Sequence, residues 1–291
     1  MLSSIRNRGV GVVATWLVCA VLGGQATALA YQETTVTDGG TLEGRVVLNG
    51  APPPARIFHL VFSPNMDFCG SIADGKGNRL LKEFRVAADG GFEGVVVAVV
   101  GVEKGKAFNY TPEIQLEHCR VSPFITPVRN HHPFSIVNKD RIAHDIQAYT
   151  AGESYTFAMF NKPMLPDSAA TKDVRMRKGH FVFRTQCGVH DFMQSWGIAV
   201  GNPYFAVTGA DGRFTIPDLP PGTYDVIAWH PHMQVQAQQV MVGPSGKVAL
   251  DFRFAAAEVE IPLHDLQTAY RLDTALDTRP PPVPSIELQT P

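Results

Sequence analysis

Between residues 181 and 193 the chain reads Phe181-Val182-Phe183-Arg184-Thr185-Gln186-Cys187-Gly188-Val189-His190-Asp191-Phe192-Met193, which places a thiol, an imidazole and a thioether at Cys-x2-His-x2-Met spacing. Thiolate and imidazole, joined by a weak thioether, suit a type 1 copper ion, which alternates between Cu(I) and Cu(II) and needs no substrate. Such a set wants a second imidazole. Asn138-Lys139-Asp140-Arg141-Ile142-Ala143-His144-Asp145-Ile146 offers one, directly after the strand-like run Phe134-Ser135-Ile136-Val137. The candidate metal ligands are therefore His144, Cys187, His190 and Met193, around one copper ion. Phe192 is placed to shield the metal from water, and the edge of His190, near the surface, is the expected electron port. Thiolate and imidazole suit zinc as well, so residue types alone do not choose the metal.

Other histidines compete for attention. His131 and His132 precede Pro133 in what reads as a solvent-facing turn, where an adjacent pair could form a weak second copper site. His230-Pro231-His232-Met233 ends a strand-like run and reads as an exposed loop with incidental histidines. Acid pairs such as Asp265 and Asp273 show no arrangement for general acid–base work, and there is no Ser-His-Asp order, phosphate loop or nucleotide motif. A non-enzyme, either an electron carrier or a binding protein, is the expectation.

The elements that must position these residues are strands. Gly 26 and Pro 22 in 291 residues favour many short strands and turns, so the predicted fold class is all-β. A strand-like stretch at 41–50 leads into Pro52-Pro53-Pro54, and apolar runs at 57–62 and 92–100 flank a glycine-rich loop region holding Cys69. Short pieces at 114–116, 134–137, 145–149, 156–160 and 180–185 are spaced for a sandwich. Residues 161–178, with Pro163, Pro166 and a charged run, read as a long solvated connection. After a closing strand at 195–200, a second module begins, with an Asp211-Gly212 hairpin turn and strands to about 254. Trp196 and Trp229 are expected inside the sandwich cores. Residues 263–276 carry near-helical apolar spacing, and the tail from Arg279 is proline-rich.

Residues 1–30 carry Arg6 and Arg8, an apolar run at 9–24 and Ala26-Thr27-Ala28-Leu29-Ala30, the pattern of a cleaved secretory signal. The apolar run is shorter than the roughly 20 residues a spanning helix needs, so no transmembrane span is expected in the mature chain. Cleavage would remove two arginines and no acid, leaving 23 bases against 27 acids, a net charge of −4 that points to no nucleic-acid partner. Cys19 leaves with the signal, and Cys69, Cys119 and Cys187 remain. If Cys69 and Cys119 pair, Cys187 stays a free thiol outside the cytoplasm, which a metal would explain. Connectivity is not readable from sequence, and Cys119, preceded by His118, could instead join a second site.

The Cys187-x2-His190-x2-Met193 run, with Asn138 and His144 upstream, resembles the cupredoxins over residues 107–201, and its tight His-to-Met spacing is most similar to the amicyanins. The resemblance implies a Greek-key β-sandwich in which His144, Cys187, His190 and Met193 hold one type 1 (blue) copper ion. It also implies a periplasmic carrier of single electrons between redox proteins or enzymes. Asp191 and Asp145 depart from the family, which commonly has Pro and Asn there; an acid beside each ligand implies a lowered redox potential, altered exposure, or a site that binds metal without fast electron transfer.

Phe205 to Trp229, with Asp211-Gly212-Arg213-Phe214 and Pro220-Pro221-Gly222-Thr223-Tyr224, resembles the second half of the carboxypeptidase regulatory-like, transthyretin-like domain, and 41–54 resembles its first half. Either the cupredoxin-like part is inserted into a split sandwich or the halves belong to separate sandwiches. The combination is similar to bacterial periplasmic proteins of the methylamine utilisation type. The expected organisation is a signal peptide at 1–30, an N-terminal β region at 41–106, the cupredoxin-like domain at 107–201, the carboxypeptidase regulatory-like sandwich at 202–258 and a short helix with tail at 259–291. The functional expectation is electron transfer. The rivals are a copper storage or delivery module and a docking protein of an envelope complex.

Overall fold

A computed structural model describes residues 31–61, 63–151 and 157–260. The expected signal at 1–30, helix at 263–276 and proline-rich tail lie outside the described residues.

Strand Val96–Val100 sends Val97 and Val99 into one apolar cluster and Val96 and Ala98 into another. Strand Gly222–Trp229 divides in the same way, with Val226 and Ala228 on one side and Ile227 and Trp229 on the other. Side chains alternate across a strand, so an unbroken apolar run buries both faces of the sheet that contains it. These two strands are neighbours at the centre of a sheet flanked by Phe205–Val207 and Gln236–Val242. On one side lies a sheet of Arg213–Leu219, Gly40–Asn49 and Lys247–Ala249, with Phe252–Ala255 also paired to Gly40–Asn49. Gly44 lies opposite Phe214 and Val46 opposite Phe252, so this sandwich is assembled from both ends of the described chain. Gly212, at φ 76, sits in the Asp211-Gly212 turn, where a Cβ would meet the Val46 carbonyl oxygen at 2.3 Å. The turn is not the predicted hairpin: Phe205–Val207 pairs with Val96–Val100 and Arg213–Leu219 with Gly40–Asn49, so it carries the chain from one sheet of the sandwich to the other, each strand finding its partner in a separate layer.

The intervening residues form a second sandwich. One sheet runs Ile125–Val128, Gln194–Ala199, Val182–Cys187, His144–Ala151, Phe157–Met164, and the other Val121–Ser122, Glu113–Leu116, Pro133–Asn138, Ser168–Asp173. Among the described residues the fold is all-β, with several sheets and no closed barrel. Phe183 and Phe134 meet edge to face in this core, and a Cβ on Gly197 would fall 2.0 Å from the Phe183 ring, so the glycine makes room for it.

The two sandwiches stack. Trp196, Ile198 and Val182 of the five-stranded sheet meet Val96, Ala98, Ile227 and Trp229 of the other sandwich. Both tryptophans therefore lie between the sandwiches and not inside either core, because each occupies the strand face that alternation turns toward the neighbouring layer. Residues 161–178 are solvated as expected, most of them exposed, but they are not a plain connection. Strands Phe157–Met164 and Ser168–Asp173 fall there, one in each sheet, and Pro163 is tolerated because its strand is at the sheet edge.

The hairpin of Arg56–His59 with Asn78–Leu81, and the short helix Met66–Cys69 between them, departs from the first sandwich. Phe58, Leu60, Cys69 and Leu81 pack into the core of the second sandwich, where a Cys69–Cys119 disulfide anchors the segment.

The predicted exposed loop at His230-Pro231-His232-Met233 is buried: His230 is 1 % and His232 0 % exposed. The strand before it delivers it among the Phe84, Phe92, Phe124 and Trp196 rings. There His232 Nε2 lies 3.3 Å from Glu83 Oε1, and Arg56 Nε donates to Glu83 Oε2 at 2.7 Å, with a second Arg56 N–H on Oε1. Burial would raise the Glu83 carboxyl, but His232 and Arg56 outweigh it and bring the pKa from 4.5 down to about 2.

Two outcomes follow. Trp229→Ala should destabilise the protein by about 3–5 kcal/mol in denaturant unfolding, with fluorescence and circular dichroism moving together because both sandwiches lose a shared layer. Glu83→Gln removes the carboxylate that accepts from buried Arg56 and should cost about 3–5 kcal/mol near neutral pH. Because the folded pKa of Glu83 is depressed, its stabilisation is full above 4.5 and is lost as pH falls toward 2, so the gap between wild type and variant should narrow over that range.

Candidate metal centre

Cys187 ends its strand and the next residues fold back on it. The Cys187 N–H donates to Met193 O at 3.0 Å and the Met193 N–H to His190 O at 2.9 Å. The Gly188 N–H donates to Asp145 O at 2.7 Å, fastening this loop to the strand that opens with His144. Asn138 shapes the other approach, its Nδ2 donating to Ile142 O at 2.9 Å and Leu165 O at 2.8 Å. The result brings Cys187 Sγ to 3.8 Å from His144 Nδ1 and 3.6 Å from His190 Nδ1, with the two Nδ1 atoms 3.2 Å apart. All three residues are buried, and among the described residues they form the one His/Cys/Asp/Glu group able to hold a metal ion. Met193 is buried in the same core, its backbone returned to Cys187.

The far side of each imidazole is held. His144 Nε2 lies 2.9 Å from Asp140 Oδ2, and the same carboxylate accepts from the His118 N–H at 2.6 Å and the Cys119 N–H at 2.9 Å. His190 Nε2 lies 3.2 Å from Asn65 Oδ1. Carboxylate and amide oxygens accept, so each Nε2 carries the proton and each Nδ1 turns a lone pair toward Cys187. The two Nδ1 lone pairs then face each other at 3.2 Å, a conflict that the single Cys187 S–H, able to donate to only one of them, leaves in place and that a bound cation would remove.

Protonation agrees with this. Burial pushes His190 down to about 4, helped by His144, and pushes His144 below its ordinary value despite Asp140. Burial pushes the Cys187 thiol up, although the Asp145 N–H at 3.4 Å acts the other way. The donor set is therefore neutral by itself, and a bound cation is what would make the thiolate favourable.

The expected exposed edge of His190 is absent, since the residue is 1 % exposed. Asn65, in the left-handed region at φ 56, caps it from the 56–81 segment. Phe192 does cover the site, its ring 5.8 Å from that of His190 and 5.4 Å from that of Phe58. His131 is exposed and His132 half-buried in their turn, and neither joins the group. Cys119 is in the disulfide, not a second site. Sequence reasoning missed Asp140 and Asn65. Asp140 stands four residues before His144 within the same loop, a spacing that could have suggested it, whereas Asn65 carries no local signal.

Residues 198–255 match the family model of the carboxypeptidase regulatory-like domain. Strands Gly40–Asn49 and Val96–Val100 complete that sandwich from outside the match. No curated protein matches the chain in sequence. Among solved structures it is similar to a purple cupredoxin from Nitrosopumilus maritimus, at 14 % identity and TM-score 0.25, covering 30 % of this chain and 98 % of that one. It is also similar to amicyanin from Paracoccus versutus, at 18 % identity and TM-score 0.26, covering 35 % and 96 %. A copper-containing nitrite reductase from Thermus scotoductus aligns at 12 % identity and TM-score 0.26, covering 36 % of this chain and 25 % of that one.

With both imidazoles neutral and the thiol protonated at pH 7, loading with Cu(II) should release one proton per ion, read by calorimetry in buffers of different ionisation enthalpy. Release of none would contradict thiolate ligation. Asn65→Ala should leave the ligands in place but weaken metal affinity by roughly tenfold, the scale of losing an outer hydrogen bond to a ligating histidine.

Proposed function

We propose that the chain binds one copper ion through His144, Cys187 and His190, with Met193 as a weak fourth donor, and carries single electrons for a redox partner outside the cytoplasm. The observation that carries this reading is the convergence of Cys187 Sγ and two Nδ1 atoms within 3.8 Å, with both Nε2 atoms already engaged. Copper, when bound, supplies a one-electron Cu(I)/Cu(II) couple. The residues of the chain supply rigidity and dryness. Cys187 and His144 lie at the ends of paired strands, and Asp140 and Asn65 fix the ring orientations, so the donors have little freedom to rearrange. Phe192 and Phe58 exclude water. The port is then the exposed Pro64–Asn65 cap, one residue above His190, in place of a bare imidazole edge. A secreted, periplasmic location accords with the disulfide in a chain whose one free described cysteine is buried at the site.

One observation favours a storage or delivery role instead. The cap over His190 buries the imidazole that would otherwise meet a partner, which slows exchange and favours retention.

Copper-loaded protein should show an intense thiolate-to-copper absorption band and a narrow copper hyperfine pattern in electron paramagnetic resonance, and Cys187→Ser should lose both. A colourless loaded protein would count against a type 1 site. Rapid oxidation of the Cu(I) form by a small inorganic oxidant supports electron transfer, and slow oxidation with tight Cu(I) retention supports storage.

A further inference from the structure

Beside the metal centre, and separate from it, a cleft of about 480 Å³ opens between the 72–85 segment and residues 120–124, with Phe192 and Gln194 lining its metal-centre side. Its volume lies within the range of small-molecule sites. Its charge is unbalanced. Arg79, Lys82 and Arg120 line it, and none is paired with a carboxylate among the described residues. The acids on its rim are occupied. Glu83 is bound by Arg56 and His232, and Asp74 accepts from the Lys76 and Asn78 N–H groups. Arg85 is already paired with Glu93 at 2.9 Å.

Arg79 is the informative residue. Its guanidinium lies over the Phe192 ring, 5.9 Å from the centroid, and its Nε is buried with no hydrogen-bond partner. A buried donor of a charged group left unsatisfied is costly, and an accepting anion removes that cost. Burial, with Arg120 nearby, brings the Arg79 pKa down to about 10, which is the direction expected of a cation lacking its counter-charge. Ile72, Leu81, Phe124 and Phe192 supply apolar wall, alongside the polar side chains of Ser122 and Gln194.

We propose that this cleft binds a small organic carboxylate, its head accepting hydrogen bonds from Arg79 and Arg120 and its apolar body resting against Phe192 and Phe124. Guanidinium groups match carboxylates in planar, two-point geometry, and aromatic walls select an organic anion over a bare inorganic one. Because the Phe192 ring also lies 5.8 Å from that of His190, a bound anion sits one side chain from the metal donors.

The test is calorimetric titration of the full chain with phenylacetate at low ionic strength, with inorganic phosphate and a glutamate hexapeptide as comparison probes. Saturable one-to-one binding of phenylacetate is expected, weaker by about tenfold or more in Arg79→Gln and in Arg120→Gln, the scale of one charge-assisted hydrogen bond. Lys247→Gln, on an exposed strand of the other sandwich, should bind as wild type. Cys187→Ser should also retain binding, which separates this cleft from the copper reading. Failure of phenylacetate to saturate overturns the proposal, as does wild-type affinity in both arginine variants or equal weakening in Lys247→Gln. Binding of the peptide without phenylacetate overturns it in favour of an acidic protein partner.

Discussion

The structure depends on two middle sheets that are apolar on both faces. Val96–Val100 and Gly222–Trp229 supply one, and the strands holding Val182, Phe183, Trp196 and Ile198 supply the other. Each must be covered twice, so neither sandwich is complete at its inner surface without the other, and the hydrophobic effect drives the stack as a whole. Split strand order follows from the same demand. Gly40–Asn49 enters the outer sheet early in the chain and waits for Arg213–Leu219 and Phe252–Ala255 to close it, while the intervening residues build the layers beneath.

The candidate metal centre is a consequence of where those layers end. Cys187 and His144 terminate paired strands of the five-stranded sheet, so the sheet sets their spacing before any ion is present. What the sheet leaves open, the 56–81 segment closes. It belongs in sequence to the first sandwich, yet its apolar residues and the Cys69–Cys119 disulfide seat it on the second, where Asn65 reaches His190 and Asp140 ties His144 to the disulfide loop. The same segment carries Arg79 over Phe192, so one short insertion both buries the donor set and forms a wall of the cationic cleft.

A second buried polar group lies at the junction of the sandwiches. His230 and His232 emerge from a central strand beside Trp229, and Glu83 reaches them from the covering segment with Arg56 as its counter-ion. Burial depresses His230 well below its ordinary value, with His232 adding to the effect, while Glu83 stays ionised. Such a group adds little net stability against apolar packing, but breaking it strands charge in a dry layer, so it fixes how the covering segment and the two sandwiches register.

By itself, the sequence determined the all-β class, a turn at Asp211-Gly212 and His144, Cys187 and His190 as a set able to hold a metal ion, because two-residue alternation, turn chemistry and ligand type are local properties, but not that the strands flanking the turn enter different sheets. The Cys69–Cys119 pair was legible only as a candidate, since spacing does not dictate connectivity. Tertiary structure alone decided that Trp196 and Trp229 lie between sandwiches, that His230 and His232 are buried and that Asn65 covers His190. Each of those outcomes joins residues far apart in the chain. A residue's neighbours across a layer are chosen by which apolar faces remain to be covered, and that is settled only when all the layers are stacked.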